Sequence, residues 1–119
     1  MVTVKLNLLV LKSRQLDRLK EFYAALGIAF AEEKHGDGPT HYAGRVGEAL
    51  LELYPLPENA GPADVSTRLG FAVSGVDAVV GSLEDAGGAV VSQPWRTAWG
   101  YRAVVRDPDG RAVELCERD

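Results

Sequence analysis

Two glutamates, Glu52 and Glu114, interrupt apolar runs and are the first candidates for chemistry. Glu52 lies in the segment 49–53 and Glu114 in the segment 112–115, and each segment follows a turn signal. A carboxylate in such a run either faces water on one side of a strand or lines a pocket, where it can bind a ligand or take part in acid–base chemistry. Two carboxylates that lie close together repel each other, so one of them is driven towards protonation. These residues alone leave both alternatives open.

His41 is a candidate general base. It begins a predicted strand with Tyr42, and since neighbours on a strand face opposite sides, only one of the two can face a cavity. The alternative, which we favour, is a structural or ligand-binding hydrogen-bonding group. His35 lies in a glycine-rich connection and is expected to be solvated. The sequence has no Ser-His-Asp arrangement, phosphate-binding loop or Cys-x-x-Cys pair.

Large aromatic side chains form a further candidate set. Some of them must belong to the core, but two tryptophans that flank one loop could also clamp an aromatic ligand. The loop is predicted to span residues 93–100. The set consists of Tyr54, Phe71, Trp95, Trp99 and Tyr101.

Composition excludes several classes of function. The chain has 119 residues, of which 46% are hydrophobic, so it is long enough to form one compact unit with a core. A net charge of −4 and a pI near 5.2 argue against nucleic-acid binding and suit a neutral or cationic ligand. The single cysteine, Cys116, excludes an intrachain disulfide and fits a reducing compartment. No apolar run approaches the roughly 20 residues of a membrane span and no signal peptide is visible, so a cytoplasmic location is expected.

The elements that position these residues occur twice. Asp17 and Asp77 lie 60 residues apart, as do Gly27 and Gly87, and Glu114 follows Glu52 by 62. Each half reads as strand, helix and three strands, with the helices indicated by apolar residues at helical spacing. The predicted first module spans about residues 1–56, the linker 57–64 and the second module 65–119. The first strand is predicted over Val2 to Leu11.

This pattern resembles the vicinal oxygen chelate superfamily, which includes glyoxalase I, bleomycin resistance proteins and extradiol dioxygenases. The resemblance rests on the repeat, on the helix 16–27 with its Phe-Tyr pair and terminal Leu-Gly, and on the closing sequence Asp-Pro-Asp-Gly-x-x-x-Glu-Leu. It implies an α+β fold in which two tandem βαβββ modules form a curved mixed sheet around a cavity.

The resemblance also implies where a metal would bind. Metal-dependent members carry ligands on the first and last strand of each module, which correspond here to Leu8, Glu52, Arg68 and Glu114. Leucine has no donor atom and the guanidinium is a cation, so we interpret the metal site as lost and expect no cofactor. Arg68 could instead lie between the two glutamates in place of the ion; the alternative is an exposed arginine.

The favoured hypothesis is a metal-independent, bleomycin-resistance-like homodimer that binds or sequesters a small hydrophobic or aromatic molecule. An acidic groove would suit a cationic ligand. The predicted ligand-binding residues are His41, Glu52, Tyr54, Arg68, Trp95, Trp99, Tyr101 and Glu114. One alternative is a lyase or isomerase of the glyoxalase type that uses a residual metal or His41 and the glutamates. Another is a module that serves only for association. No nucleic-acid or membrane partner is expected.

Overall fold

Two modules of the same element order make up the fold, as a computed structural model of residues 3–118 describes it. The first comprises β1 (Leu8–Ser13), α1 (Leu16–Ala25), β2 (Phe30–Glu33), β3 (His41–Val46) and β4 (Ala49–Pro55). The second comprises β5 (Leu69–Val73), α2 (Val76–Asp85), β6 (Ala89–Thr97), β7 (Gly100–Arg106) and β8 (Ala112–Glu117). The prediction of two tandem βαβββ modules in an α+β fold is confirmed.

Each module forms one mixed sheet of four strands, in the orders β1-β4-β3-β2 and β5-β8-β7-β6. The first and last strands of each module pair in parallel, and the other pairs are antiparallel. In this register Val10 lies opposite Glu52, and Gly70 lies opposite Glu114. The two glutamates therefore occupy equivalent places in the two sheets.

The core lies on the helix side of both sheets. Leu51 and Leu53 of β4 are buried against it, as are Val113 and Leu115 of β8, because alternate strand residues face the same side. The helices contribute apolar residues at three- and four-residue spacing, and α1 packs against α2. The opposite side of each sheet, which we call its open face, carries Glu52 in the first module and Glu114 in the second.

The turn between β7 and β8 connects the modules. Asp107 accepts backbone hydrogen bonds from Asp109, Gly110 and Arg111 at 2.9–3.1 Å, and Gly110 has a φ of 103°, so the predicted Asp-Pro-Asp-Gly turn is confirmed. The buried guanidinium of Arg111 pairs with Asp107 at 3.2 Å and donates to the backbone oxygen of Lys12 at 2.8 Å. A buried polar group needs such partners, and these connect the second module to β1 of the first.

Two predicted boundaries were wrong. The first strand begins at Leu8 rather than Val2, although the backbone N–H of Leu50 still donates to Asn7 at 2.8 Å, and residue 2 lies outside the described residues. The segment predicted as the loop 93–100 is mostly strand, since β6 continues to Thr97. Trp95 therefore lies on a strand, whereas Trp99 lies in the short turn between β6 and β7. Among residues 3–118, no helix is both long and apolar enough to cross a membrane.

Candidate functional site

A groove of about 480 Å³ lies on the open face of the second sheet, and we call it the tryptophan groove. Trp95 lies opposite Arg102 in the β6–β7 register, and Val104 lies opposite Glu114 in the β7–β8 register, so these side chains share one face. Its lining residues come from three adjacent strands and the turn between β6 and β7. They are Ser92, Trp95, Arg96, Thr97, Ala98, Trp99, Arg102, Ala103, Val104 and Glu114.

Both tryptophans are solvent-accessible. Trp95 is 59% exposed and Trp99 is 79% exposed, which is unusual for the largest apolar side chains. The turn that carries Trp99 is held by Thr97, whose hydroxyl accepts from the Trp99 backbone N–H at 3.1 Å and donates to the Gly100 carbonyl at 2.8 Å. The indole of Trp99 is thus presented from an ordered turn, and it offers apolar surface to a ligand.

Glu114 is held by two arginines. One carboxylate oxygen is 2.6 Å from Arg68 Nη2 and the other is 3.1 Å from Arg102 Nη2. No hydrogen bond or ion pair within residues 3–118 links Glu52 to this group. Arg68 therefore pairs with one glutamate in the chain rather than lying between two. Sequence reasoning missed Arg102, although strand alternation from Val104 would have placed it on the same face as Glu114.

The remaining predicted ligand-binding residues lie elsewhere. Tyr101 points to the helix side, where its phenol donates to Asp77 at 2.7 Å, and this bond raises the phenol's pKa above the ordinary value of 10.0. His41, Glu52 and Tyr54 lie together on the first sheet. The His41 and Tyr54 rings are stacked at 4.1 Å, and His41 Nε2 is 4.0 Å from a Glu52 carboxylate oxygen. Partial burial, with the nearby negative charges of Glu52 and Glu33, raises the Tyr54 pKa.

The positions of the family's metal ligands do not fit a metal ion here. Leu8 presents a side chain without a donor atom, and the residue is 47% exposed. Both oxygens of Glu114 are already paired with guanidinium groups, which also repel a divalent cation. We therefore derive no chemistry from a metal at these positions.

Comparisons with known proteins agree with this architecture. Residues 5–115 match the model of the Glyoxalase/Bleomycin resistance protein/Dioxygenase superfamily. An uncharacterized protein of Mycolicibacterium smegmatis is 30% identical over 109 residues, which cover 92% of this chain and 90% of that protein.

Solved structures show the same fold. TnmS3, an antibiotic binding protein from Streptomyces sp. CB03234, superposes with a TM-score of 0.75 at 24% identity, covering 100% of this chain and 99% of that one. TioX from Micromonospora sp. ML1 superposes with a TM-score of 0.71 at 19% identity, covering 96% and 98%. The chain belongs to the Glyoxalase/Bleomycin resistance protein/Dioxygenase superfamily.

Proposed function

We propose that the protein binds a small planar aromatic molecule in the tryptophan groove, without using a metal at the family's position. The observation that carries this proposal is the presence of two exposed indoles, Trp95 and Trp99, on the lining of one groove of about 480 Å³. That volume falls within the range of small-molecule pockets, which are mostly apolar with a few polar groups. The likeness to an antibiotic binding protein supports the same class of function.

The charges around the groove favour a neutral or anionic ligand. Among the charged lining residues, Arg102 and Glu114 face the groove and their charges balance, whereas the guanidinium of Arg96 lies over the ring of Tyr101 on the helix side of the sheet. Arg68 adds a further positive charge beside Glu114. The chain as a whole is acidic, which suggested a cationic ligand, but a bound molecule interacts most strongly with the charges nearest to it.

A second copy of the chain would complete the site. The predicted ligand-binding residues are divided between two open faces: Glu52 and Tyr54 are on the first, whereas Trp95 and Glu114 are on the second. The first face carries the exposed apolar side chains Leu8 and Val10 together with Glu33 and Glu52, and the second carries Arg68, Arg102 and the tryptophans. Lys12 and Arg45 lie on the first face as well, so that face has no net negative charge. Both faces expose apolar surface, and the carboxylates of the first can pair with the arginines of the second, so we propose a homodimer in which they meet.

The lyase or isomerase alternative draws less support from the site. A general base must reach the proton that it removes. His41 has a side chain that is only 1% exposed, and Tyr54 stacks on its ring. The family's metal position offers no open coordination site either, for the reasons given above.

Three naphthalene derivatives of different charge test the proposal: naphthalene-2-sulfonate, 2-naphthylmethanol and 2-naphthylmethylammonium. We expect tryptophan fluorescence to be quenched by the sulfonate and the alcohol at lower concentrations than by the ammonium compound. Arg102→Ala should weaken binding of the sulfonate more than binding of the alcohol, because it removes one positive charge from the lining. An absence of quenching by all three compounds, or a preference for the ammonium compound, would contradict the proposal.

A further inference from the structure

A cluster of side chains that could hold a metal ion lies at one end of the first sheet, and of the family's ligand positions only Glu52 is near it. Glu33 ends β2, His41 begins β3, and the two residues lie opposite each other in the register. His35 belongs to the connection between these strands, where Gly36 has a φ of 58° and the Gly38 N–H donates to the His35 carbonyl at 2.9 Å. This turn directs His35 back over the strand ends, with its ring 5.2 Å from the ring of His41.

The orientation of His41 is fixed by its backbone contact. Its Nδ1 is 3.1 Å from the carbonyl oxygen of Pro39, and since a carbonyl can only accept, Nδ1 must carry a proton. In a neutral ring, Nε2 is then an unprotonated nitrogen with its lone pair in the ring plane. A histidine with one nitrogen bonded to a carbonyl in this way keeps the other for a ligand, as is typical of histidines that bind metals. The side chain is 1% exposed, so bulk water has little access to it.

An unprotonated Nε2 of His41 would face other hydrogen-bond acceptors. A Glu33 oxygen is 3.4 Å away and a Glu52 oxygen is 4.0 Å away, and carboxylates only accept hydrogen bonds when ionised. The Tyr54 hydroxyl is 3.2 Å away, but the two rings are only 9° from parallel, so the hydroxyl lies out of the plane that contains the lone pair. Acceptors thus face one another, and a cation between them would remove the repulsion.

The spacing of the donor atoms suits a metal ion. Glu33 Oε1 is 3.4 Å from His41 Nε2 and 3.5 Å from His35 Nε2, and the ligand atoms of the three residues lie within 4.8 Å of one another. Ligands at about 2.0–2.1 Å from a tetrahedral zinc ion are separated by about 3.3 Å. Two imidazoles and a carboxylate are zinc ligands, and Glu52 or a water molecule could supply the fourth position.

We propose that Glu33, His35 and His41 bind one divalent transition-metal ion of the zinc class on the first sheet. None of its three ligands is at a family ligand position, although Glu52, which is one, lies beside the site, and zinc binding can be measured without a ligand in the tryptophan groove. This proposal differs from the expectation from sequence that the protein carries no metal.

The test is a zinc titration of chelator-treated protein that is monitored by calorimetry. The visible absorption of the protein with cobalt in place of zinc reports the coordination geometry. We expect one ion per chain and the visible bands of tetrahedral cobalt. His35→Ala and Glu33→Gln alter residues that are not fully buried. Removing even an outer partner of a metal ligand weakens metal binding by at least about tenfold, so each of these substitutions should weaken zinc binding by more than that. Glu32→Gln is the matched control, because Glu32 lies opposite Tyr42 on the other face of β2 and should leave zinc affinity unchanged.

Two results would overturn the proposal. One is an absence of zinc binding to the unmodified protein at micromolar concentrations. The other is binding that survives both His35→Ala and Glu33→Gln unchanged. Because these variants are judged by metal affinity and circular dichroism reports their folding separately, a loss of binding with native ellipticity counts for the site.

Discussion

The phenol of Tyr23 donates a hydrogen bond to Oδ2 of Asp107 across 2.8 Å, and this bond joins the first helix of one module to the turn that closes the other. Both residues are buried. Burial is the main cause that raises the pKa of Tyr23, and the charge of Asp107 adds to it, so the phenol stays protonated and remains a donor. The same carboxylate oxygen is 3.2 Å from Nη1 of Arg111. The relative position of the two open faces thus depends on a buried polar network as well as on the apolar core.

Replacing Tyr23 by phenylalanine removes the hydroxyl and leaves a buried carboxylate with one donor fewer. We expect Tyr23→Phe to lower the free energy of unfolding by about 1–3 kcal/mol, as measured by urea denaturation. Tyr101→Phe is a matched control, because its phenol bonds to Asp77 at the surface, where water can replace it. Equal losses of unfolding free energy in the two variants would show that the buried bond between the modules stabilises the fold no more than the surface bond does.

The sequence predicted the turn beside Tyr23 because its signals are local. Asp107, Pro108 and Gly110 each favour one turn position, and the strands on both sides are apolar. The partners of the turn could not be predicted in this way. Tyr23 and Lys12 are 84 and 99 residues distant in sequence from the groups that they contact, so only the packed fold brings them together.

Trp95 shows why the tryptophan groove was predicted only in part. Pro94 indicates a loop, since proline cannot donate to a neighbouring strand. In the structure β6 is an edge strand of its sheet, where proline is tolerated, and the register shifts near Ser92 and Trp95. His41 shows a similar limit, because the residues that cover it come from β4 and from the β2–β3 connection.

The tryptophans should contribute to binding and little to stability. We expect Trp95→Ala and Trp99→Ala each to weaken binding of naphthalene-2-sulfonate about twofold to tenfold, since an aromatic contact contributes about 0.5–1.5 kcal/mol. Quenching of the remaining tryptophan measures the affinity, and thermal unfolding measures stability. Val91→Ala is the control, because Val91 is 55% exposed on β6 but does not line the groove. A large fall in melting temperature for both tryptophan variants would show that they belong to the core instead.

Glu117 should make stability depend on pH. Its carboxylate accepts hydrogen bonds from the backbone N–H groups of Val76 at 2.9 Å and Gly75 at 2.7 Å, and these bonds lower its pKa below 4.5. Because the folded-state pKa is the lower one, the stabilisation is fully present above the unfolded-state pKa and is lost as the pH falls through the folded-state pKa. We expect Glu117→Gln to lower the melting temperature at pH 7 and the difference from wild type to shrink in acid.

Thermal unfolding between about pH 3 and 7 checks this prediction. Glu84→Gln, a substitution on the exposed surface of α2, is the control for a simple change of net charge. If both variants show the same pH profile, the bonds from the Glu117 side chain to the start of α2 do not cause the pH dependence.

The final prediction concerns the proposed dimer. Val10 is 39% exposed on the open face of the first sheet, beside Leu8 and opposite Glu52 in the register. A lysine at this position would be buried by a partner and would face the arginines of its second sheet, so both desolvation and repulsion oppose association. We expect light scattering to give a dimer mass for the wild type, and Val10→Lys to raise the dissociation constant by about tenfold or more. Ala78→Lys, on the exposed surface of α2, should leave the dimer intact. A monomer mass for the wild type at high micromolar concentration would exclude the dimer, and a quenching titration of that monomer would then show whether the tryptophan groove binds its ligand without a second copy.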